Sequence, residues 1–316
     1  MGQNHAVIFF IYNRPDHTAK VLEGLKKNRI TKMYVFSDGP RAEKDVPLVE
    51  ETRNLIRNID WCEVEAEYSP SNKGLANSVI YGVTKVFQKG YESVIVLEDD
   101  CVPSDNYIHF MKSTLDYYKN VPHVMHVSGF GLPIKRYTKA DVYFTPFPCS
   151  WGWGTWANDW LSCNFDDIDN YERLLTKKDE LYDFNYCGEG MSSMLQMQLD
   201  KRVNSWLIRW YYHIYNRNGR CVWSYESMID NKGFDGTGAH KMKFDRFNQR
   251  NKQQVTGKQN FQMENDLNYH PALIREFRRY FIGKSFKERL KTVIYLTTGV
   301  ILEPKRTYKF QSGLKA

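Results

Sequence analysis

Long hydrophobic runs are absent from this sequence. The apolar stretch nearest the start, Val7–Tyr12, is far shorter than the roughly 18 residues that a membrane-spanning helix requires. The residues before it, 1–5, are largely polar and do not resemble the start of an export signal. We therefore expect a cytoplasmic protein without a membrane span.

Paired cysteines are also absent. None of the six cysteines stands in a CxxC motif, which argues against a thiolate zinc site. Without an export signal a disulfide framework is not expected either, and free thiols in a reducing compartment fit best. The six cysteines are Cys62, Cys101, Cys149, Cys163, Cys187 and Cys221.

Three common motifs of nucleotide binding and hydrolysis are missing. No GxxxxGK[ST] phosphate loop occurs, the first predicted strand leads into FIYNRPDH instead of GxGxxG, and no GxSxG elbow is present. These absences argue against a phosphate-loop triphosphatase, a dinucleotide-binding enzyme and a hydrolase of the GxSxG type.

The positive charge is concentrated at the end of the chain. The 316 residues carry a net charge of +7, and Arg275–Ala316 holds eleven Lys and Arg against three Asp and Glu. The first 274 residues are therefore close to neutral, with 33 basic against 34 acidic side chains. A neutral body without a recognised motif argues against nucleic acid as a partner.

The first third alternates predicted strands with predicted helices. AVIFFIY, KMYVFSD, CEVEAEY and SVIVLED are typical of strands, and a helical pattern separates each from the next. With 42% hydrophobic and 15% aromatic residues, the chain can form a well-packed core. The pattern predicts an α/β fold with a mostly parallel central sheet flanked by helices.

Polar residues follow each of the four predicted strands. They are Asn13 and Arg14, the segment 37–41 (SDGPR), the segment 72–74 (NKG) and the triplet Glu98–Asp100. Open parallel sheets bind ligands beyond the carboxyl ends of their strands. We therefore expect these four groups to face one crevice.

Glu98, Asp99 and Asp100 directly follow a strand suited to full burial. Adjacent carboxylates repel one another, and a bound Mg²⁺ or Mn²⁺ would remove the repulsion while bridging a diphosphate. If the strand continues through them, Asp99 points away from the other two. The alternative is a salt-bridged surface triplet. Without a phosphate loop, a nucleotide held by metal indicates nucleotide-sugar chemistry.

After about residue 130 the pattern changes to aromatic-rich segments. Four tryptophans lie within 151–160, a second aromatic segment over 204–219 is predicted to be helical, and a glycine-rich loop spans 231–240. The predicted division is one domain over 1–260, with a nucleotide-binding half of about 1–130 and an acceptor half of about 131–260, followed by a basic helical C-terminal extension over 261–316.

The extension contains a basic amphipathic stretch, Arg275–Gly299. Such a helix can lie on an anionic membrane surface, which would place the protein at the inner face of the cell membrane. The alternative is a helix that packs on the main domain and keeps its charges in water.

Four segments of the first half resemble the nucleotide-binding half of GT-A glycosyltransferases: VIFFIYNRPDHTAKVLEGL, VFSDGPR, NKGLANSVIYGV and VIVLEDDCVPSDNYIHFM. With PFPCSWGWGTW, SWLIRW and NKGFDGTGAH, the chain is similar to bacterial family-2-type sugar transferases related to the N-acetylglucosaminyltransferase I group, over roughly residues 6–240. The resemblance implies a Rossmann-like GT-A fold. It also implies a metal-dependent, inverting, hexosyltransferase-type transfer from a UDP-sugar to a glycan or lipid-linked acceptor in bacterial surface polysaccharide synthesis.

The resemblance implies roles for the acids that follow the strands. The last acid of the triplet, Asp100, would ligate Mn²⁺ or Mg²⁺. Asp99 would approach the ribose, and Glu98 would contact the donor sugar. Asp38, after the second strand, would lie against the nucleobase.

Cationic and amide side chains complete the implied donor site. Arg14 and Lys73 would lie near the pyrophosphate or the base, next to Asn72. Positive charge is physically sensible there, because the metal only partly offsets the two negative charges of the ligand.

The catalytic base departs from the family pattern. An inverting transfer needs a carboxylate to accept the proton of the acceptor hydroxyl, and relatives often have Asp before the SW of SWLIRW, where this chain has Asn204. The remaining candidates are Asp200, Asp230 and Asp235. We favour Asp235, in the glycine-rich loop that could form a lid, although a turn role is an equal alternative.

The same loop and the tryptophan segment supply candidate contacts. His240 would be a phosphate or metal contact on the lid, or else a packed or surface histidine. Trp151, Trp153 and Trp156 could form a platform for a sugar ring, although aromatic residues spaced in this way more often belong to the core. We expect at least one of these tryptophans to line the acceptor cleft, with Trp151 and Trp153 as the candidates, and the others to pack in the core.

Two further functions remain open. A nucleotidyltransferase that makes nucleotide-sugars would use a similar sheet, but its glycine-rich first loop is replaced by YNRPDH. A non-catalytic carbohydrate-binding protein on the same fold is the other, and Asn204 gives it some support.

Overall fold

The computed structural model describes residues 4–188, 190–237, 247, 257–281 and 290. Its first part alternates strands and helices, and the predicted order and type of these elements are confirmed. They are β1 (His5–Ile11), α1 (Pro15–Lys27), β2 (Lys32–Ser37), α2 (Val46–Arg57), β3 (Glu63–Tyr68), α3 (Leu75–Phe87) and β4 (Ser93–Glu98).

The second part adds shorter strands and a group of helices. The elements are β5 (Cys101–Pro103), α4 (Tyr107–Tyr118), β6 (Val124–Ser128), β7 (Val142–Thr145), β8 (Trp153–Trp156), α5 (Ala157–Leu161), α6 (Ile168–Thr176), α7 (Lys178–Phe184), α8 (Met191–Leu199), α9 (Trp206–Asn216), β9 (Arg220–Ser224), β10 (Ile229–Asn231) and α10 (Pro271–Arg278). None of the described helices is both long and apolar enough to cross a bilayer.

The central sheet has eight strands in the order β3-β2-β1-β4-β8-β6-β9-β7. The first four are parallel to one another, as are β6 and β9, whereas β8 and β7 run antiparallel to their neighbours. The mostly parallel α/β sheet is therefore confirmed. Across its parallel part, Phe10 is level with Glu98 and Ile11 with Ser37, so the carboxyl ends of these strands lie at one edge.

Burial explains why β4 is a continuous apolar run. Val94–Leu97 are fully buried, because β4 lies inside the sheet. Helix α3 approaches the sheet closely at Gly82, where a side chain would collide with the rings of Phe10 and Phe36. This close contact places the start of α3 beside the ends of β1 and β2.

The aromatic residues of the second half form much of its core. Trp153, on β8, is fully buried and stacks on His126 and Trp206, with ring centres 5.4 and 4.7 Å apart. Burial lowers the pKa of His126 to about 3, so this histidine is neutral. None of the six cysteines, all in the described part, forms a disulfide bond.

The described part of the C-terminal extension packs against the domain. Leu273, Ile274 and Phe277 of α10 are buried, and Phe277 meets Trp223 edge-on at 4.9 Å between ring centres. For α10, the apolar face is therefore covered by protein. Residues 282–289 and 291–316, which hold most of the predicted basic stretch, lie outside the described residues.

Replacing Phe277 tests whether α10 is part of the folded domain. We expect F277A to lower the free energy of unfolding by about 3–5 kcal/mol, because it removes a fully buried ring. The matched control is R275A, an exposed position of the same helix, with an expected effect within about 0.5 kcal/mol. Urea unfolding measures both, and equal effects would show that α10 packs only loosely.

Candidate functional site

The ends of the first four strands enclose a cleft of about 260 Å³. Five of the predicted donor-site residues line it, namely Arg14, Asp38, Asn72, Glu98 and Asp99. The full lining is Phe10, Ile11, Tyr12, Asn13, Arg14, Phe36, Asp38, Arg41, Asn72, Leu75, Ser78, Glu98, Asp99 and Thr237. The structure thus brings together, in one crevice, polar groups that are far apart in the sequence.

Arg14 lies between the acids. It precedes the first turn of α1, and its Nη2 donates hydrogen bonds to Asp99 Oδ1 and to Asp100 Oδ2, the latter at 3.0 Å. Strand β4 ends at Glu98, and Asp99 and Asp100 form a turn. The predicted strand alternation therefore does not extend to them, and both aspartates reach the same guanidinium group.

One guanidinium does not balance three carboxylates. Burial raises the pKa of Glu98 well above its usual range, and the charges of Asp100 and Asp99 raise it further, against the opposing effect of Arg14. Burial also raises the pKa of Asp99, although Arg14 opposes it. The cluster therefore holds more negative charge than the protein alone neutralises, which favours a bound cation or proton.

Two atoms of this cluster are buried without a hydrogen-bond partner within the described part of the chain. They are Nη1 of Arg14 and Oδ2 of Asp99, on the two side chains that bond to each other. Leaving such groups unpaired costs about 1–3 kcal/mol each. Both residues line the cleft, so a ligand that offers an acceptor to Arg14 and a donor or cation to Asp99 would satisfy them.

The acids could supply some, but not all, of the ligands of a hard divalent cation. No group of three or more His, Cys, Asp or Glu side chains arranged to hold a metal is found among the described residues. Mg²⁺ and Mn²⁺, however, are often held by one or two carboxylates, with phosphate and water completing the shell. Asp100 and Asp99 offer such oxygens, so they fit a site that a nucleotide completes. Arg14 already provides part of the positive charge that the sequence pattern assigned to metal.

Asp38 organises the loops at the base of the cleft. Its buried carboxylate accepts hydrogen bonds from the backbone amides of Gly39, Lys73 and Gly74 at 2.8–2.9 Å. Asn72 adds a bond from its Nδ2 to the carbonyl of Gly39, at 2.8 Å. These bonds fix the loop after β2 against the loop that starts α3.

The side chain of Lys73 points elsewhere. Its Nζ lies over the ring of Tyr81, 4.7 Å from the centre, and it is not among the described residues that line the cleft. The structure therefore places the backbone of Lys73 at the site and its ammonium group on the outer face of α3.

Sequence reasoning missed an aromatic and cationic wall of the cleft. The guanidinium of Arg41 lies over the ring of Tyr12, 5.2 Å from its centre. The Tyr12 hydroxyl donates to Asp45 Oδ2 at 3.0 Å and accepts from the backbone amide of Arg41 at 3.2 Å. Arg41 was within the noted SDGPR segment, and Tyr12 is the residue after β1, so position after a strand was the available signal.

The two tryptophans proposed for the acceptor cleft differ in exposure. Trp153 is fully buried in the core and cannot form a platform for a sugar ring, because its faces are covered by His126 and Trp206. Trp151 is partly buried and packs edge-on against Phe130 and Phe234, with ring centres 4.7 and 5.8 Å apart.

Asp235 is both a turn residue and an ion-pair partner. Its Oδ1 accepts bonds from the amide and the hydroxyl of Thr237 at 2.9 and 2.6 Å, and its Oδ2 lies 3.1 Å from Nε2 of His17. Burial would raise its pKa, but Thr237, His17 and Arg14 together lower it. Asp235 is therefore ionised at neutral pH, close to the cleft that Thr237 lines.

Asp200 and Asn204 lie apart from the cleft, whereas Asp230 lies on β10 opposite Val102. Asp200 is exposed at the end of α8, accepts a bond from Gln196 at 2.9 Å, and is not one of the described cleft residues. Asn204 links two helices, because its Oδ1 accepts from Arg209 at 2.9 Å and its Nδ2 donates to Asn77 at 3.2 Å. His240 lies outside the described residues.

Comparisons with known proteins add only distant similarity. No protein-family profile and no curated protein matches the sequence. Among solved structures, the chain is similar to TarS 1–349 from S. aureus (TM-score 0.41, 13% identity, 72% of this chain and 60% of that one). It is also similar to the mannosyltransferase PcManGT from Pyrobaculum calidifontis, solved with GDP-Man and Mn²⁺ (0.39, 11% identity, 68% of each chain). A third is a cytidylyltransferase from Leptospira borgpetersenii (0.31, 9% identity, 54% of this chain and 65% of that one).

The raised pKa of Glu98 predicts how stability depends on pH. A carboxyl whose pKa is higher in the native state than in the unfolded chain destabilises the fold once the pH exceeds the unfolded value, here about 4.5. We expect E98Q to raise the free energy of unfolding by about 1–3 kcal/mol at pH 8, with a gain that shrinks toward pH 4.

Denaturant unfolding of the metal-free protein at several pH values measures this gain. The control is E92Q, an exposed glutamate just before the same strand, which should change little at any pH. A gain that does not depend on pH, or a loss of stability at pH 8, would show that the fold does not raise the pKa of Glu98.

Proposed function

We propose that this protein is a glycosyltransferase that takes its sugar from a nucleotide-sugar. The observation that carries the proposal is the cleft beyond the parallel strands, which sets a surplus of carboxylate charge beside one arginine and an aromatic wall. A ligand for such a site combines a flat base, hydroxyl groups and an anionic part that can share a cation with the acids.

Each part of the donor has a fitting partner in the cleft. The base would stack near Tyr12 and Arg41, above the loops that Asp38 fixes. The ribose hydroxyls would donate to the unpaired Oδ2 of Asp99, and a phosphate oxygen would accept from Nη1 of Arg14. Glu98 would contact the transferred sugar.

Asp100 would hold Mn²⁺ or Mg²⁺, with Asp99 beside it. When bound, the cation neutralises charge on the departing diphosphate. Arg14 contributes to the same neutralisation from the protein, because its guanidinium is held between Asp99 and Asp100. We propose UDP as the nucleotide, on the resemblance of the strand-end motifs to UDP-sugar transferases.

The proposed transfer inverts the configuration at the anomeric carbon of the sugar, with Asp235 as the base. The acceptor hydroxyl would attack the donor carbon as the bond to the diphosphate breaks, and its proton would pass to a carboxylate. Asp235 is ionised and lies two residues before Thr237, which lines the cleft, whereas Asn204 has no basic oxygen and accepts a bond from Arg209. Asp200, earlier in the acceptor half, is the second candidate.

We propose a glycan or lipid-linked acceptor in bacterial surface polysaccharide synthesis. The support is the charge of the last 42 residues, a surplus of eight basic side chains, which suits an anionic membrane surface. This contact would place the protein at the inner face of the cell membrane and near a lipid-anchored acceptor.

Loss of Asp100 tests the metal and the donor together. We expect UDP with Mn²⁺ to raise the melting temperature of the native protein, because a ligand that binds only the folded state stabilises it. D100N should weaken this binding by about tenfold or more, since it removes a negative oxygen ligand. A thermal-shift panel of UDP-, GDP- and dTDP-sugars with and without Mn²⁺ is the measurement.

The control is D105N, an exposed aspartate five positions along the chain, which should bind like the native protein. Mn²⁺-dependent hydrolysis of the bound donor would separate an enzyme from a non-catalytic binding protein. Release of pyrophosphate from a nucleoside triphosphate in the presence of a sugar 1-phosphate would instead indicate a nucleotidyltransferase. Equal binding by D100N and the native protein would contradict the role of Asp100.

A further inference from the structure

A short segment of the second half covers the acids. We call residues 229–237 the strap. Its first part, β10, pairs antiparallel with β5, so that Asn231 is level with Cys101. The amide of Lys232 then donates to the carbonyl of Asp100 at 2.8 Å. The strap is thereby attached to the chain directly after the carboxylate turn.

Gly233 brings the strap into contact with the Asp100 carboxylate. A Cβ at this position would overlap Oδ2 of Asp100, so any other residue would force that carboxylate to move. The Gly233 amide donates to Oδ1 of Asn231 at 2.8 Å, which fixes the turn. Further along, Thr237 lines the cleft. The strap therefore covers Asp100 and reaches the cleft at Thr237.

His17 connects the strap to α1. Its side chain is 11% exposed, and Nε2 faces two acceptors of the strap, Oδ2 of Asp235 at 3.1 Å and the carbonyl of Lys232 at 3.3 Å. Because both are acceptors, Nε2 carries hydrogen. His17 belongs to the same first turn of α1 that Arg14 precedes, so one short stretch of helix contacts both the acids and the strap.

We propose that His17 is a positioning residue that holds the strap over Asp100 and sets the carboxylate of Asp235 toward the cleft. The charged groups around it are Asp235 on the strap and Asp99 and Arg14 at the strand ends. The position of the strap is independent of the reaction, but the role of Asp235 as base rests on the proposed function.

Hydrogen exchange of the ligand-free protein tests the contact without any substrate. H17F removes the donor, H17Q keeps an N–H, and D235A removes the acceptor from the strap side. We expect H17F and D235A each to speed exchange of the amides in peptides covering 229–237 by about tenfold, and H17Q by much less. Peptides from α3 should not change.

The double variant shows whether the two residues act through one contact. D235A also removes the two bonds that Thr237 donates to Asp235. If His17 and Asp235 act through one contact, H17F/D235A therefore exchanges no faster than D235A alone. Unchanged exchange in the strap of H17F, or additive effects in the double variant, would overturn the proposal. If H17F does not fold, D235N decides the same question, because its amide keeps an oxygen for Thr237 and removes the carboxylate that faces His17. Unchanged exchange in the strap of D235N would then overturn the proposal.

The activity arm separates this proposal from the proposed function. We expect H17F to lower kcat about tenfold and to change the donor KM by less than about threefold, with rescue by H17Q. A larger effect on KM than on kcat would overturn the part that concerns Asp235. A native protein that transfers no sugar would refute the proposed function, and the exchange experiment would still decide how the strap is held.

Discussion

The structure depends on a charge balance at the end of β4. A fully buried strand ends in Glu98, Asp99 and Asp100, and the guanidinium of Arg14 is the only cation within hydrogen-bonding distance of them among the described residues. Helix α1 must therefore start where Arg14 can reach the acids. Burial and the remaining negative charge keep the pKa of Glu98 high, and that charge makes the cleft receptive to a cation that arrives with an anionic ligand.

The two halves contribute different things to the site. Parallel strands of the first half provide the polar groups, and their register brings those groups to one edge. The second half provides a rigid aromatic core, centred on Trp153, and from it the strap returns to Asp100. A densely packed base gives the strap a fixed starting point, so Thr237 can line the cleft beyond the parallel strands.

The order of elements and the crevice could be predicted from the sequence, because periodicity and strand-end position are local properties. The directions of the side chains could not be predicted from the sequence. Lys73 lies over Tyr81, and Asp38 accepts bonds from backbone amides, because only the folded chain brings these partners near. The sequence favoured burial for most of these tryptophans but did not show that Trp153 is one of them, because an aromatic-rich segment looks the same in a core and in a sugar platform. The pairing of Arg14 with acids 85 residues away belongs to this class.

The pairing of β10 with β5 has a consequence for how the protein matures. It joins Asn231 to Cys101 across 130 positions, long after the four parallel strands have been synthesised. During translation those strands can assemble while the acids still face water, uncovered. The strap cannot reach Asp100 until Gly233 has left the ribosome, so a nascent chain could bring the four strand ends together well before it acquires the cover over Asp100.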